Sequence, residues 1–289
     1  MNKTTLGIIS GLTATSIWGA MYVVSKAVMA VIPPFSLLTS RLVLGILTLL
    51  IIAVVQKKLS IKKKDFWNIF WVGFIGYGIS LGFQFVGTNL STAANGSLVT
   101  SATPAFVLIF AALILREKIT PKRLLALIVA SLGVLAVIDP RSAQLDSSLF
   151  LGNMCLVAAA LTWALYSVLI RKITRDVDVL VISLIAFLGG LPTSITASAI
   201  EISAQGLGQI TPGMVAGILF IGIISTGLAM YLWNTAFALL DASLASLTFF
   251  AQPVVGTILG AIFLGEIITP LFLFGGLLIG VGLVIASRE

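Results

Sequence analysis

Residues 93–121, AANGSLVTSATPAFVLIFAALILREKITP, return as residues 242–270, ASLASLTFFAQPVVGTILGAIFLGEIITP. The offset is 149 positions without a gap, and twelve of the 29 aligned positions are identical. Chance matching in chains of this apolar bias gives roughly three or four. Both copies carry a proline inside an apolar run (Pro104, Pro253). Both then place a glutamate thirteen residues on (Glu117, Glu266), and both end on Ile-Thr-Pro. Almost all of the repeated stretch is hydrophobic, so the duplicated units are membrane helices. Internal duplication of membrane helices is a mark shared by many secondary transporters.

The composition agrees. The chain has 289 residues, 59% hydrophobic and 9% charged, with mean hydropathy +1.16. A soluble domain carries about 25% charged residues. No polar stretch is long enough for a separate soluble domain, so one membrane domain fills the chain. It contains no histidine and one cysteine, Cys155. Histidine metal sites, Ser-His and Cys-His catalysis and a disulfide framework are thereby excluded. With no buried aspartate pair either, an intramembrane enzyme lacks its reactive groups. Neither a cofactor nor a metal is expected.

A helix needs about 20 apolar residues to cross a bilayer. Ten such runs are present: Leu6–Ala30, Phe35–Val55, Phe66–Thr88, Thr92–Leu115, Pro121–Ile138, Leu149–Ile170, Val179–Ile200, Pro212–Trp233, Ala242–Leu264 and Pro270–Ala286. Short connections make neighbours antiparallel. Placing the N-terminus inside puts fourteen of the seventeen lysines and arginines on the cytoplasmic side. They are Lys3, Lys57, Lys58, Lys62, Lys63, Lys64, Arg116, Lys118, Lys122, Arg123, Arg171, Lys172, Arg175 and Arg288. Only Arg141 falls outside, and Lys26 and Arg41 lie within spans. The positive-inside rule therefore predicts both termini in the cytoplasm. It also accounts for the net charge of +7 as a topology signal rather than a nucleic-acid surface.

Ten spans divide as five plus five, residues 1–144 and 145–289. An odd number of helices per half inverts one half against the other. Leu6-Gly7 and Trp18 recur as Leu151-Gly152 and Trp163, a weaker match at offset 145 that supports the division. The predicted fold class is an all-α membrane protein of ten helices in two inverted five-helix repeats.

Ionisable groups inside a bilayer are costly, so they come first as candidates. Trp18, Tyr22 and Lys26 are spaced by four and share a helix face. That face is either a cavity wall able to hold a carboxylate, or a lysine snorkelling to the outer interface. Arg41 reads as snorkelling or as a tie to a helix end. Glu117 and Glu266 each precede a Thr-Pro pair, which caps the next helix. Each is expected to sit beside that helix's positive end. No aspartate or glutamate falls mid-membrane, which weighs against proton coupling through a buried carboxylate.

Polar uncharged residues recur at helical spacing and serve either interhelical hydrogen bonds or a water-filled cavity. The candidate substrate-binding set is Trp18, Tyr22, Lys26, Tyr77, Gln84, Asn95, Ser97, Ser101, Trp163, Tyr166, Tyr231, Asn234, Ser246 and Gln252. Pro104 and Pro253 are the candidate hinges, since each removes a backbone hydrogen bond and bends its helix. Gly276-x-x-x-Gly280 has the small-residue spacing of a helix contact and allows a monomer or a weak homodimer.

Both segments, from Ala93-Ala94-Asn95-Gly96-Ser97-Leu98 through Pro104 to Arg116-Glu117-Lys118-Ile119-Thr120, and from Ala242-Ser243-Leu244-Ala245-Ser246-Leu247 through Pro253 to Leu264-Gly265-Glu266-Ile267-Ile268-Thr269, resemble the EamA repeat of the drug/metabolite transporter superfamily. Trp18-Gly19 is similar to that family's first helix, and Arg41 to an arginine of its second. The first copy departs from the pattern with Arg116 where the second has Gly265. The resemblance covers essentially the whole chain. It implies two inverted EamA halves around a central path lined by helices one, three, four, six, eight and nine. It further implies a multi-pass inner-membrane carrier of small molecules by alternating access, with amino acids and export favoured. A multidrug efflux carrier and a channel are the alternatives. The implied partners are a small-molecule substrate and the lipid bilayer, with no nucleic acid.

Overall fold

A computed structural model describes residues 2–58, 61–90, 99–100, 102–138, 147–173, 177–264 and 270–287. Among these residues there is no strand, and ten helical rods follow one another. They are α1 (Lys3–Met29), α2 (Pro34–Val55), α3 (Lys63–Leu90), α4 (Thr103–Leu115), α5 (Pro121–Ile138), α6 (Ser147–Ile173), α7 (Val179–Gln205), α8 (Pro212–Leu239), α9 (residues 242–264) and α10 (Pro270–Ser287). Six of them (α1, α2, α3, α6, α7 and α8) are long and apolar enough on their own to cross a membrane. Three shorter apolar helices, at Thr103–Leu115, Ala242–Gly256 and Leu273–Gly282, add to them.

Local chemistry starts these helices where the sequence signals it. The Thr120 hydroxyl accepts from Arg123 N at 3.2 Å ahead of Pro121. Thr211 does the same for Met214 ahead of Pro212, and Asp178 accepts from Leu180 N at 2.9 Å. Each cap satisfies an N–H that has no partner in the first helical turn.

The tightest helix pairings are α1 with α8 and α9, α6 with α3 and α4, α3 with α7, α8 with α2, α2 with α7, and α5 with α10. Every one joins a helix of the first five to a helix of the last five. Exchanging each helix with its counterpart five places along maps the set onto itself. The halves are thus interleaved around a pseudo-twofold, and the interior between them belongs to both. The outer surface carries large apolar side chains at high exposure, such as Val55 at 76% and Leu113 at 73%. In water such a surface aggregates; in a bilayer it is matched by acyl chains.

Two irregularities repeat with the fold. α3 and α8 each contain a π-helical stretch, Phe74–Ser80 and Phe220–Leu228. Both open on Phe-Ile-Gly (Phe74-Ile75-Gly76, Phe220-Ile221-Gly222). π turns recur at functional sites because they rotate the following side chains and loosen carbonyls. Ahead of the two prolines the helix tightens identically: Ala102 N bonds Val99 O, and Ala251 N bonds Thr248 O, each three residues back. Pro104 and Pro253 thus mark local breaks in both halves.

α4 ends on Arg116, which is left-handed at φ 57°, ψ 32°. The second copy has Gly265 at the matching position. A left-handed residue other than glycine costs about 1–2 kcal/mol. Arg116→Gly is therefore expected to raise stability by about 1 kcal/mol, measured as a higher midpoint of thermal unfolding in detergent. An unchanged or lower midpoint means the Arg116 side chain contributes contacts that offset the strain.

Candidate functional site

At the centre, where the halves interleave, side chains of α1, α2, α3, α4, α6, α8 and α9 with Thr100 enclose a narrow cavity of about 30 Å³, room for one or two waters. Its walls include Trp18 and Met21, Ser80 and Gln84, Thr100 and Thr103, Ala159 and Trp163, Met230, and Phe249 and Gln252. The aromatic wall is continuous. Trp18 meets Trp163 edge-on at 5.7 Å between centroids, Trp233 at 5.3 Å and Phe249 at 6.0 Å. Trp18 is held by its indole N–H, which donates to Ser225 O at 3.0 Å, a carbonyl within the π stretch of α8. Trp163 keeps an unpaired indole N–H. α1 can approach α9 this closely because residue 19 is glycine: a Cβ there would stand 2.7 Å from Gln252 O.

Arg41 also lines this cavity, and it neither snorkels nor ties a helix end. It is 0% exposed. Its Nε donates to the Thr226 hydroxyl at 2.7 Å, and that hydroxyl donates in turn to Ile221 O at 2.8 Å, five residues back in the π stretch of α8. The guanidinium lies 5.4 Å above the centre of the Phe85 ring. Both terminal nitrogens, Nη1 and Nη2, have no hydrogen-bond partner among the described residues. Among the described residues no carboxylate pairs with Arg41 or lines the cavity. A buried guanidinium with two unpaired nitrogens is an expensive arrangement unless something else binds it.

The predicted residues distribute unevenly around this centre. Trp18, Gln84, Trp163 and Gln252 line the cavity. Tyr22 borders it, accepting from Gln84 Nε2 at 2.7 Å. Tyr77, Tyr166 and Asn234 stand behind its wall in a continuous chain of hydrogen bonds. The Tyr77 and Tyr166 hydroxyls are 2.7 Å apart, the Tyr166 hydroxyl donates to Asn234 Oδ1, and Asn234 Nδ2 donates to the Ser183 hydroxyl. Their polar groups are already satisfied by one another, across α3, α6, α8 and α7. Tyr231 lines a separate groove with Thr48, Gln56 and Leu180. Ser246 turns back on Ser243 O at 2.8 Å. Asn95, Ser97 and Ser101, together with the Lys26 side chain, lie outside the described residues. Arg41, read from the sequence as snorkelling or as a tie to a helix end, is instead part of the cavity wall. Its signal was a cation several residues inside a span, but helix rotation decides whether such a group faces lipid, a helix end or the interior.

Glu117 departs from its expected place. It does not serve α5, the next helix, but the start of α9 in the other half. Its carboxylate accepts from Ala242 N at 2.9 Å, Ser243 N at 3.3 Å and the Ser243 hydroxyl at 2.9 Å. Arg123 bridges Glu117 and Asp241, and Arg171 joins Asp241 while donating to Ala238 O. The left-handed turn at Arg116 brings the chain back across the bundle and sets this geometry. The result is a charged clasp linking α4 and α5 to α6 and the α8–α9 turn, at the end the charge count places inside. Glu266 lies outside the described residues.

The pattern of the EamA-like transporter family matches residues 5–138 and again residues 150–288. The chain belongs to the EamA-like transporter family. The two matched segments are the two interleaved halves, and the protein is a multi-pass membrane transporter. The uncharacterized transporter YoaV of Bacillus subtilis (strain 168) is 29% identical over 290 residues, covering 98% of this chain and 96% of YoaV. An uncharacterized transporter of Archaeoglobus fulgidus is 28% identical over 285 residues, covering 98% of each chain. A solved crystal structure superposes with a TM-score of 0.80 at 21% identity, over 98% of this chain and 96% of that one, and shares the fold. In this EamA chain the lining of the central cavity includes α2 through Arg41, beside the six helices expected to line a central path.

Proposed function

We propose that the protein is an inner-membrane secondary transporter of small amphipathic metabolites, with amino acids the favoured class, export the favoured direction and alternating access the mechanism. The observation that carries this reading is the aromatic-walled cavity at the junction of both halves. Trp18, Trp163 and Phe249 offer an apolar surface of a few side chains, and Arg41 with Gln84 and Gln252 offers polar groups to fix orientation. Such a mixture suits a compact molecule with one apolar and one polar end. The breaks at Pro104 and Pro253 flank the cavity on α4 and α9 and supply the moving parts. The clasp around Glu117 ties the two halves together at the inner end and would serve as the inner closure. A cationic drug fits poorly, because no carboxylate among the described residues faces the cavity.

The test is counterflow in proteoliposomes. Vesicles loaded with unlabelled amino acids are expected to accumulate labelled amino acid transiently, several-fold above protein-free vesicles. Absence of flux in either direction for every amino acid removes that substrate class. Unitary currents in planar bilayers would replace the carrier by a pore.

A further inference from the structure

We infer that the cavity binds its ligand as an anion, through a carboxylate seated on Arg41, and selects against molecules that carry only an amine. This deepens the transport reading and rests on it only in naming the ligand as cargo. Arginine nitrogens and the indole N–H have no acceptor form, so their unpaired state is unambiguous about what they lack. Arg41 Nη1 and Nη2 and Trp163 Nε1 are all buried, unpaired and on the cavity wall. All three ask for an acceptor. Gln252 lines the same cavity, and its amide presents either atom on rotation.

The charge argument points the same way. Arg41 carries a full positive charge with no carboxylate beside it among the described residues, held by one hydroxyl and one ring face. A planar carboxylate fits the two terminal guanidinium nitrogens side by side. The small free volume beside Arg41 suits a carboxylate head, and the tryptophans take the apolar body as the helices part. An ammonium group finds no counter-charge there and is repelled by Arg41. An amino acid is therefore held by its carboxylate, and its amino group adds nothing to affinity.

Three probes of one shape separate these possibilities: 3-phenylpropionate, phenylalanine and 2-phenylethylamine. Binding to the purified full-length protein in nanodiscs is read from tryptophan fluorescence, since Trp18 and Trp163 line the site. The acid is expected to bind at least as tightly as phenylalanine, and both about tenfold or more tighter than the amine. Arg41→Gln should weaken the acid by about 10- to 100-fold without weakening the amine. Arg41→Lys should keep the preference for the acid. The wild-type ranking decides the matter even when Arg41→Gln is not recovered folded. An amine that binds as well as the acid overturns the inference, and so does silence from all three probes. An acid preference that survives Arg41→Gln overturns the assignment to Arg41. Acid binding to a protein that moves none of the probes in proteoliposomes supports the anion site while removing the reading of its ligand as cargo.

Discussion

Glu117→Ala is expected to lower stability by about 2–4 kcal/mol and to open the inner end of the transporter. The Glu117 side chain is 13% exposed and accepts three hydrogen bonds from Ala242 and Ser243 at the start of α9. Hydrogen bonds to a charged group contribute about 1.5–3 kcal/mol, and a helix cap about 1. The substitution leaves two backbone N–H groups without their acceptor. It also removes the Glu117 carboxylate from beside Arg123. For a chain of this length the loss corresponds to a fall of roughly 5–15 °C in the unfolding midpoint. A cysteine placed at Ser243 in the same background should become more reactive towards a polar maleimide added from the cytoplasmic side. A midpoint within about 1 °C of the wild type would show that the clasp contributes little.

Gly19→Val should be strongly damaging, because it breaks a close backbone approach beside the cavity. Its Cβ would stand 2.7 Å from Gln252 O and 2.9 Å from Gly256 N. Both are backbone atoms of α9, so no rotamer change relieves the clash. Overpacking of this kind costs about 1–3 kcal/mol and displaces the helices that make the contact. The displaced pair here is α1 against α9, which carries Trp18 on one side and Phe249 and Gln252 on the other. Transport is expected to fall at least tenfold even where the protein still folds, because both walls of the cavity shift together. Gly280→Ala is the control, since nothing lies within 4 Å of the added atom. It should be neutral or stabilising by about 0.5–1 kcal/mol in its helix. If Gly19→Val carries substrate at the wild-type rate, the close α1–α9 contact is not needed for function.

Much of the architecture was readable because hydrophobic length and local capping depend on nearby residues alone. Thr120-Pro121 starts a helix as such a pair should, and the left-handed turn at residue 116 is foreshadowed by Gly265 in the second copy. The matched π stretches of α3 and α8 left only a faint trace, the doubled Phe-Ile-Gly, since a helix pattern does not reveal which carbonyl each N–H will choose. Glu117 was readable as a partner for a positive helix end but not as the partner of α9. Sequence proximity favoured α5, and only the path of the chain after Arg116 redirected it.

By itself the sequence determined that the chain crosses the membrane repeatedly, that its halves are duplicated and opposed, and where its helices break. Those properties follow from apolar runs, charge placement and proline, each a short-range matter. The tertiary structure decided which way each polar side chain faces. Tyr77, Tyr166 and Asn234 spend their hydrogen bonds on one another, while Arg41 turns inward with two nitrogens unpaired. A rotation of a helix by one residue is about 100°, enough to exchange lipid for cavity. That rotation is set by close packing between the interleaved halves, at contacts such as Gly19 on α9, between residues far apart in the chain.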